Sequence, residues 1–319
     1  MMPKLSASLF AGLCLASLPA IAAEQPLSVE PATQTTEWNV RFHGRPVLGY
    51  AFAPGKFKPY VKVLATIKGD NILRDAPFDH LHHHALMYGI RVNGLNFWEE
   101  TPGCGVQKSV QTTPPEISLD AQGQPTARLR QTIHWLAPAD AYIPDTTKLA
   151  LLIEQRTLIL TVNEARQEVA LQWSAAFEVG PRTNEVTLTG ANYHGLGMRF
   201  LQELDALAAH LNSTGAPDIS GGKLDVTQAK WGAVSFGRPD NPLTVALFGH
   251  PGNTRSDAWF FTMRQPFAYL SATQRLDQEP LVYRTGDKFA VHYLVAVYPE
   301  LKSADALTQR GQQWAQSKP

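Results

Sequence analysis

Residues 168–179 read Glu-Val-Ala-Leu-Gln-Trp-Ser-Ala-Ala-Phe-Glu-Val. Val169, Leu171, Trp173, Ala175, Phe177 and Val179 share one parity, while Glu168, Gln172, Ser174 and Glu178 take the other. A period of two marks a strand with one buried face, because successive side chains leave a pleated backbone on opposite sides. The pattern recurs outward in both directions. Leu129, Ile133 and Trp135 alternate with Arg128, Arg130, Thr132 and His134, and Val291, Tyr293, Val295 and Val297 form another such face. Further strand-like runs lie at Trp38–Phe42, Val47–Phe52, Val61–Ile67, Leu86–Val92, Leu149–Val162, Leu243–Phe248 and Trp259–Met263. Turn formers separate them, as at Pro251-Gly252-Asn253 and Arg238-Pro239-Asp240-Asn241-Pro242.

Helix signals are few. Gln202–Leu211 is expected to form a short helix. Ser303–Gln316 is expected to form a C-terminal one, capped by Ser303, with Ala306, Leu307 and Trp314 inward. Many strands and few helices predict an all-β fold. The expectation is a large antiparallel β-sandwich with a C-terminal helix, in one domain over residues 24–319.

Lys4, the apolar run Leu5–Ile21 and the small residues Ala20-Ile21-Ala22-Ala23 form the pattern of an export signal over residues 1–23. Cleavage near Ala23 would leave Glu24 first and a periplasmic or secreted protein. The run is short for a membrane span and carries Pro19, and no later stretch is apolar enough to cross a bilayer. The remaining chain has one cysteine, Cys104, so an intramolecular disulfide is excluded and the hydrophobic core must supply stability. With 28 basic and 28 acidic residues and no basic stripe, nucleic acid is not an expected partner. The near-neutral balance and seven tryptophans suit a carbohydrate or another small polar molecule.

The chemistry concentrates at Asp79-His80-Leu81-His82-His83-His84. In an extended chain His80, His82 and His84 would share one face, with His83 on the other. Three imidazoles can bind a divalent metal, act as general acid and base, or hydrogen-bond hydroxyl groups, and the pattern leaves these open. A metal, if present, would be held by His80, His82 and His84; otherwise no cofactor is required. Downstream, Asn93-Gly94 is a two-residue hairpin signal that would return Phe97-Trp98-Glu99 beside Leu86–Arg91, so that Trp98 could line the same cavity.

Glu154 and Arg156 share parity with Leu152, Leu158 and Leu160, so they form either a buried ion pair or catalytic groups. His194 and Arg199 flank the glycines of Gly195-Leu196-Gly197, which permit either close backbone approach or a turn. His250 and Asn253 follow the strand Leu243–Phe248, where binding loops commonly sit. His292 reads as a core residue, and His43, His134 and His210 as incidental.

Asp79-His80-x-His82-His83, the following strand and Val92-Asn93-Gly94-x-x-Phe97-Trp98 resemble the bacterial family of unknown function labelled "PmoA-like". Residues 195–200, Trp231, His250-Pro251-x-Asn253 and the strand with His292 are similar too, so the resemblance spans most of the chain. His84 departs from the family, where arginine is usual. The label refers to a methane oxygenase, whose membrane subunit needs several transmembrane helices, and this sequence has none. The resemblance implies an exported protein with a galactose-mutarotase-like supersandwich. The resulting expectation is a carbohydrate-active enzyme, an epimerase, lyase or glycoside-cleaving protein. In it His80, His82 and Glu154 would carry acid–base chemistry, and Asp79, His83, Trp98, His194, Arg199, Trp231, His250 and Asn253 would bind substrate. A non-catalytic carbohydrate-binding module and a His-ligated metalloenzyme are the alternatives.

Overall fold

The alternation in residues 168–179 becomes a twelve-residue strand, Glu168–Val179, at the heart of an antiparallel sheet. Its neighbours are Leu152–Asn163 on one side and Lys288–Tyr298 on the other. The computed structural model describes residues 26–31, 36–256 and 258–319. The export signal read at residues 1–23 lies outside them. The protein is all-β, with two nine-stranded antiparallel sheets and a C-terminal helix.

One sheet runs in the order Leu27–Pro31, Glu37–Phe42, Arg45–Ala51, Tyr60–Leu64, Leu86–Gly89, Gly195–Arg199, Tyr269–Thr273, Trp259–Met263, Asp225–Gln228. The other runs Ala208–Asn212, Trp231–Phe236, Leu243–Gly249, Lys288–Tyr298, Glu168–Val179, Leu152–Asn163, Pro125–Leu136, Val106–Thr112, with Glu116–Leu119 also on Pro125–Leu136. One continuous core holds Tyr50, Leu86 and Met198 from the first sheet and Leu158, Trp173 and Val295 from the second. The inner faces thus bury the apolar parity that the sequence displays.

The outer face of the second sheet is covered at one end. Small residues Ala170, Ala233, Ala246 and Ala296 make room there for the helix Ala304–Ala315, which buries Leu307 and Trp314. The Ser303 side chain accepts a hydrogen bond from the Ala306 backbone, a cap of the expected kind. Ala306 itself is exposed, because it lies off the Leu307–Trp314 stripe.

One reading changes. The expected Gln202–Leu211 helix is a single turn, Gln202–Asp205, followed by the strand Ala208–Asn212, which pairs with Trp231–Phe236. That pairing overrides the local helical preference. Of the two readings left open for Gly195-Leu196-Gly197, the segment takes close backbone approach within a strand, not a turn. The Asn93-Gly94 hairpin forms as expected, with both residues at positive φ (50° and 79°) between Arg91–Val92 and Leu95–Asn96. It belongs to a small third sheet with Glu185–Thr189 and Leu281–Arg284. Cys104 is buried and free. Among the described residues no helix is long and apolar enough to cross a membrane.

Candidate functional site

The histidine run is not extended. The His80 N–H bonds to the Pro77 carbonyl and the His83 N–H to the His80 carbonyl, both at 2.9 Å, so residues 77–83 fold as two successive turns. Among the described residues this stretch has only an isolated bridge between His84 and Asp75, and without a ladder the alternation of faces does not arise. The grouping therefore differs from the expected one. His80 stacks on His83 (centroids 4.6 Å, 27°), and His82 meets His83 edge-on at 4.5 Å. His84 faces elsewhere, and Ala85, at φ 49°, swings the chain into the Leu86–Gly89 strand.

Three adjacent strands of the first sheet complete the surroundings. Leu86–Gly89, Gly195–Arg199 and Tyr269–Thr273 lie side by side, with Arg199 opposite Tyr269 and Gly197 opposite Met87 and Ser271. A Cβ at Gly197 would overlap the Tyr269 hydroxyl and crowd the Trp98 ring, so only glycine admits both. Trp98 returns beside Gly89 through the hairpin and stacks on His194 (5.1 Å, 14°), with Tyr193 against both. Phe267 lies 5.1 Å from the His80 ring, and the Arg199 guanidinium sits 3.2 Å over it. Asp79 Oδ2 lies 3.1 Å from His80 Nδ1, an ion-pair distance without hydrogen-bond alignment, and 3.4 Å from Arg199 Nη2.

The site is rich in unsatisfied polar atoms. Trp98 Nε1, His83 Nδ1, both ring nitrogens of His194, Nε and Nη1 of Arg199 and the Tyr269 hydroxyl are buried without a hydrogen-bond partner in the chain. They are seven of the nineteen such side-chain atoms among the described residues, gathered in five neighbouring residues. Burial drives the His83 and His194 imidazoles down to about 3, so both are neutral, each with one donor and one acceptor. Burial also lowers His82, helped by the charges of Lys58 and His80. Burial disfavours the Asp79 carboxylate, but His80 and the Arg199 charge outweigh it and hold it below the usual range.

A second polar set borders this one. His84 Nδ1 lies 2.7 Å from Asp75 and Nε2 3.1 Å from Glu100, with Tyr60 stacked at 4.3 Å. Burial opposes the imidazolium, yet the two carboxylates raise His84 above its ordinary value. Lys58, wholly buried, donates to Glu100 (2.7 Å) and the Trp98 carbonyl (2.8 Å), and burial lowers its ammonium. With both nitrogens committed, His84 leaves the expected metal set of His80, His82 and His84. Among the described residues no three His, Cys, Asp or Glu side chains are grouped to hold a metal ion.

Four expected site residues lie elsewhere. Glu154 is fully buried between the sheets. Its oxygens accept from Arg156 Nε (2.6 Å) and Trp135 Nε1 (2.8 Å), so it forms the buried ion pair and contacts none of the histidines. Trp231 donates to Thr308 under the C-terminal helix. His250 binds the Ser317 carbonyl and packs on Trp314, and Asn253 accepts from the His292 backbone. Trp231 and His250 thus hold the C-terminal segment, and Asn253 holds its loop to the strand Lys288–Tyr298. Asp79, His80, His82, His83, Trp98, His194 and Arg199 do come together. Sequence reasoning missed Tyr193, Phe267, Tyr269, Asp75, Lys58 and Glu100. Tyr193 and Glu100 adjoin motifs already singled out; Phe267 and Lys58 carry no local signal.

Fold and site together define a histidine-lined antiparallel β-sandwich protein. The chain belongs to the Family of unknown function (DUF6807), whose model matches residues 37–311. That description carries no activity, and the methane-oxygenase label gains no support from it. No curated protein matches the chain. Among solved structures it is similar to the galactosidase domain of an alpha-galactosidase–sucrose kinase, at 9% identity and TM-score 0.49, covering 86% of this chain and 42% of that one. The alpha-galactosidase of Lactobacillus brevis matches at 8% identity and TM-score 0.45, covering 86% and 39%. That of Geobacillus stearothermophilus matches at 10% and 0.43, covering 89% and 42%. The chain thus spans less than half the length of these galactosidases.

Proposed function

We propose that the protein binds a sugar against the histidine turn and that His80, paired with Asp79, transfers a proton on it. The cluster of seven buried, unpartnered polar atoms carries this reading. A buried polar group without a partner costs about 1–3 kcal/mol, so such a cluster favours ordered water or a bound molecule rich in hydroxyl groups. Sugar hydroxyls both donate and accept. The neutral imidazoles of His83 and His194 offer one donor and one acceptor each, and the Arg199 fork offers adjacent donors. Trp98, stacked on His194, and Phe267, beneath the Arg199 guanidinium, are buried and hold these groups in place.

His80 and His82 are the more open imidazoles, with ring centroids 5.8 Å apart. One takes a proton from the sugar and the other returns one, while the Asp79 carboxylate holds the imidazolium that forms. Proton exchange at a sugar carbon or ring oxygen, as in an epimerase, is the reaction class this serves best. Glu154 has no part in it. The second reading, a binding module without turnover, draws on that sequestration, which leaves Asp79 as the carboxylate against His80. With residues 1–23 as an export signal, the protein would work in the cell envelope.

A panel of monosaccharides tests the reading by thermal shift, because a ligand of the native state raises the melting temperature. At least one sugar is expected to do so, and His194→Phe to abolish the shift. His80→Gln is expected to keep binding and lower turnover about 100-fold or more, the usual weight of a general acid or base. No shift with any sugar sinks the site; binding without turnover in the parent protein leaves the module.

A further inference from the structure

A cavity of about 1120 Å³ begins at the Lys58–Glu100 pair and runs along the edge strand Val106–Thr112 to Tyr142. It contains none of the site histidines, and the function proposed above leaves it unused. Its volume exceeds the range of about 300–1,000 Å³ usual for small-ligand pockets, so it suits more than one ring. Trp38, Phe52 and Tyr142 line it with flat apolar surface, and Tyr142 is 88% exposed. The Trp38 indole N–H is buried without a partner.

The charges of the wall are one-sided. Lys56, Lys58 and Lys108 line the cavity against a single carboxylate, Glu100. Glu100 is already shared between Lys58 and His84. Lys108 donates only to the Ile143 carbonyl, and among the described residues neither Lys56 nor Lys108 has an acidic partner. Lys58 uses two of its three N–H donors, on Glu100 and the Trp98 carbonyl.

We infer that this cavity binds an acidic oligosaccharide, with Lys56 and Lys108 meeting its carboxylates and Trp38, Phe52 and Tyr142 its ring faces. The choice of sugar rests on the reading of the histidine site; the preference for an anion rests on the lysines alone. Ammonium groups at an accessible wall act as point charges, so the interaction is screened by salt.

Titration calorimetry with trigalacturonic acid and with a neutral galactose trisaccharide tests this on the full chain. The acidic probe is expected to bind more tightly, and to weaken as salt is raised. The double variant Lys56→Gln, Lys108→Gln, which removes no buried pair, is expected to weaken it about tenfold and leave the neutral probe unchanged. Tyr142→Ala, at an exposed position, is expected to weaken both. Equal binding of the two probes overturns the inference, as does unaltered acidic binding in the lysine variant. Acidic binding lost in His80→Gln but kept in the lysine variant overturns the cavity and leaves the histidine site standing. Lysine-dependent binding supports the cavity even if no monosaccharide shifts the melting temperature, an outcome that removes the histidine site instead.

Discussion

At the scale of single residues, the site's histidines divide by what surrounds them. His84 sits between two carboxylates and is raised, whereas His83 and His194 sit among aromatic rings and are driven down to about 3. The two environments tilt stability in opposite directions with pH. The raised His84 contributes stability fully below its unfolded value of 6.5, and that contribution is lost as pH rises through its folded value. For His83 and His194 the unfolded chain takes up protons that the folded chain refuses. Stability is therefore intact above 6.5 and falls as pH drops toward about 3. Each histidine contributes a slope of at most about 1.4 kcal/mol per pH unit in that window. Urea denaturation of the parent protein should show stability falling from pH 6.5 downward, and His194→Phe should make the decline shallower. An unchanged slope in that variant would mean that His194 is already charged in the folded protein, and its role as a neutral hydrogen-bonding group would go with it.

At the scale of elements, the long strands were the most legible. Leu152–Asn163 and Glu168–Val179 each run for twelve residues with a buried parity that a period-two reading finds at once. Tyr269–Thr273 and Gly195–Arg199 are five residues each and buried throughout, so they show no alternation to read. The histidine turn failed for the converse reason: alternation was assumed where no neighbouring strand enforces it. What did carry through was the pair of glycines, whose capacity for close approach is used in full. Gly197 is the position where the strand and the site meet. Gly197→Ala would drive a methyl group into the Tyr269 hydroxyl and the Trp98 ring. Overpacking of this kind costs about 1–3 kcal/mol. The variant should fold with a lower melting temperature and lose sugar binding, because Trp98 and Tyr269 must both shift. Retained affinity at full stability would show that the Trp98–Tyr269 contact is not part of the site.

At the scale of the whole molecule, the polar groups separate into two systems that the sequence placed in one. Strand parity put Glu154 and Arg156 on the buried face, which is where they are, but parity cannot say which other strands face them. Arg156 reaches from the second sheet to the Tyr50 hydroxyl of the first (3.1 Å), to the Pro59 carbonyl just before the strand Tyr60–Leu64 (3.2 Å) and to Gln107 (3.3 Å), and lies over Trp173 at 4.4 Å. Glu154 is thus the counter-ion of a cation that ties the two sheets together. Neutralising it leaves Arg156 charged in a dry interior, and removing one partner of such a pair costs about 3–5 kcal/mol. Glu154→Gln is therefore expected to lose stability on that scale in urea denaturation while keeping the parent's sugar affinity below its melting temperature. Replacing both members with apolar residues, Glu154→Leu with Arg156→Met, should recover part of the loss, since the uncompensated charge goes with the pair. Were Glu154→Gln instead to fold with parental stability and lose turnover, the carboxylate would belong to the chemistry after all, and the division between an interior that holds the sheets and a turn that holds the ligand would be wrong.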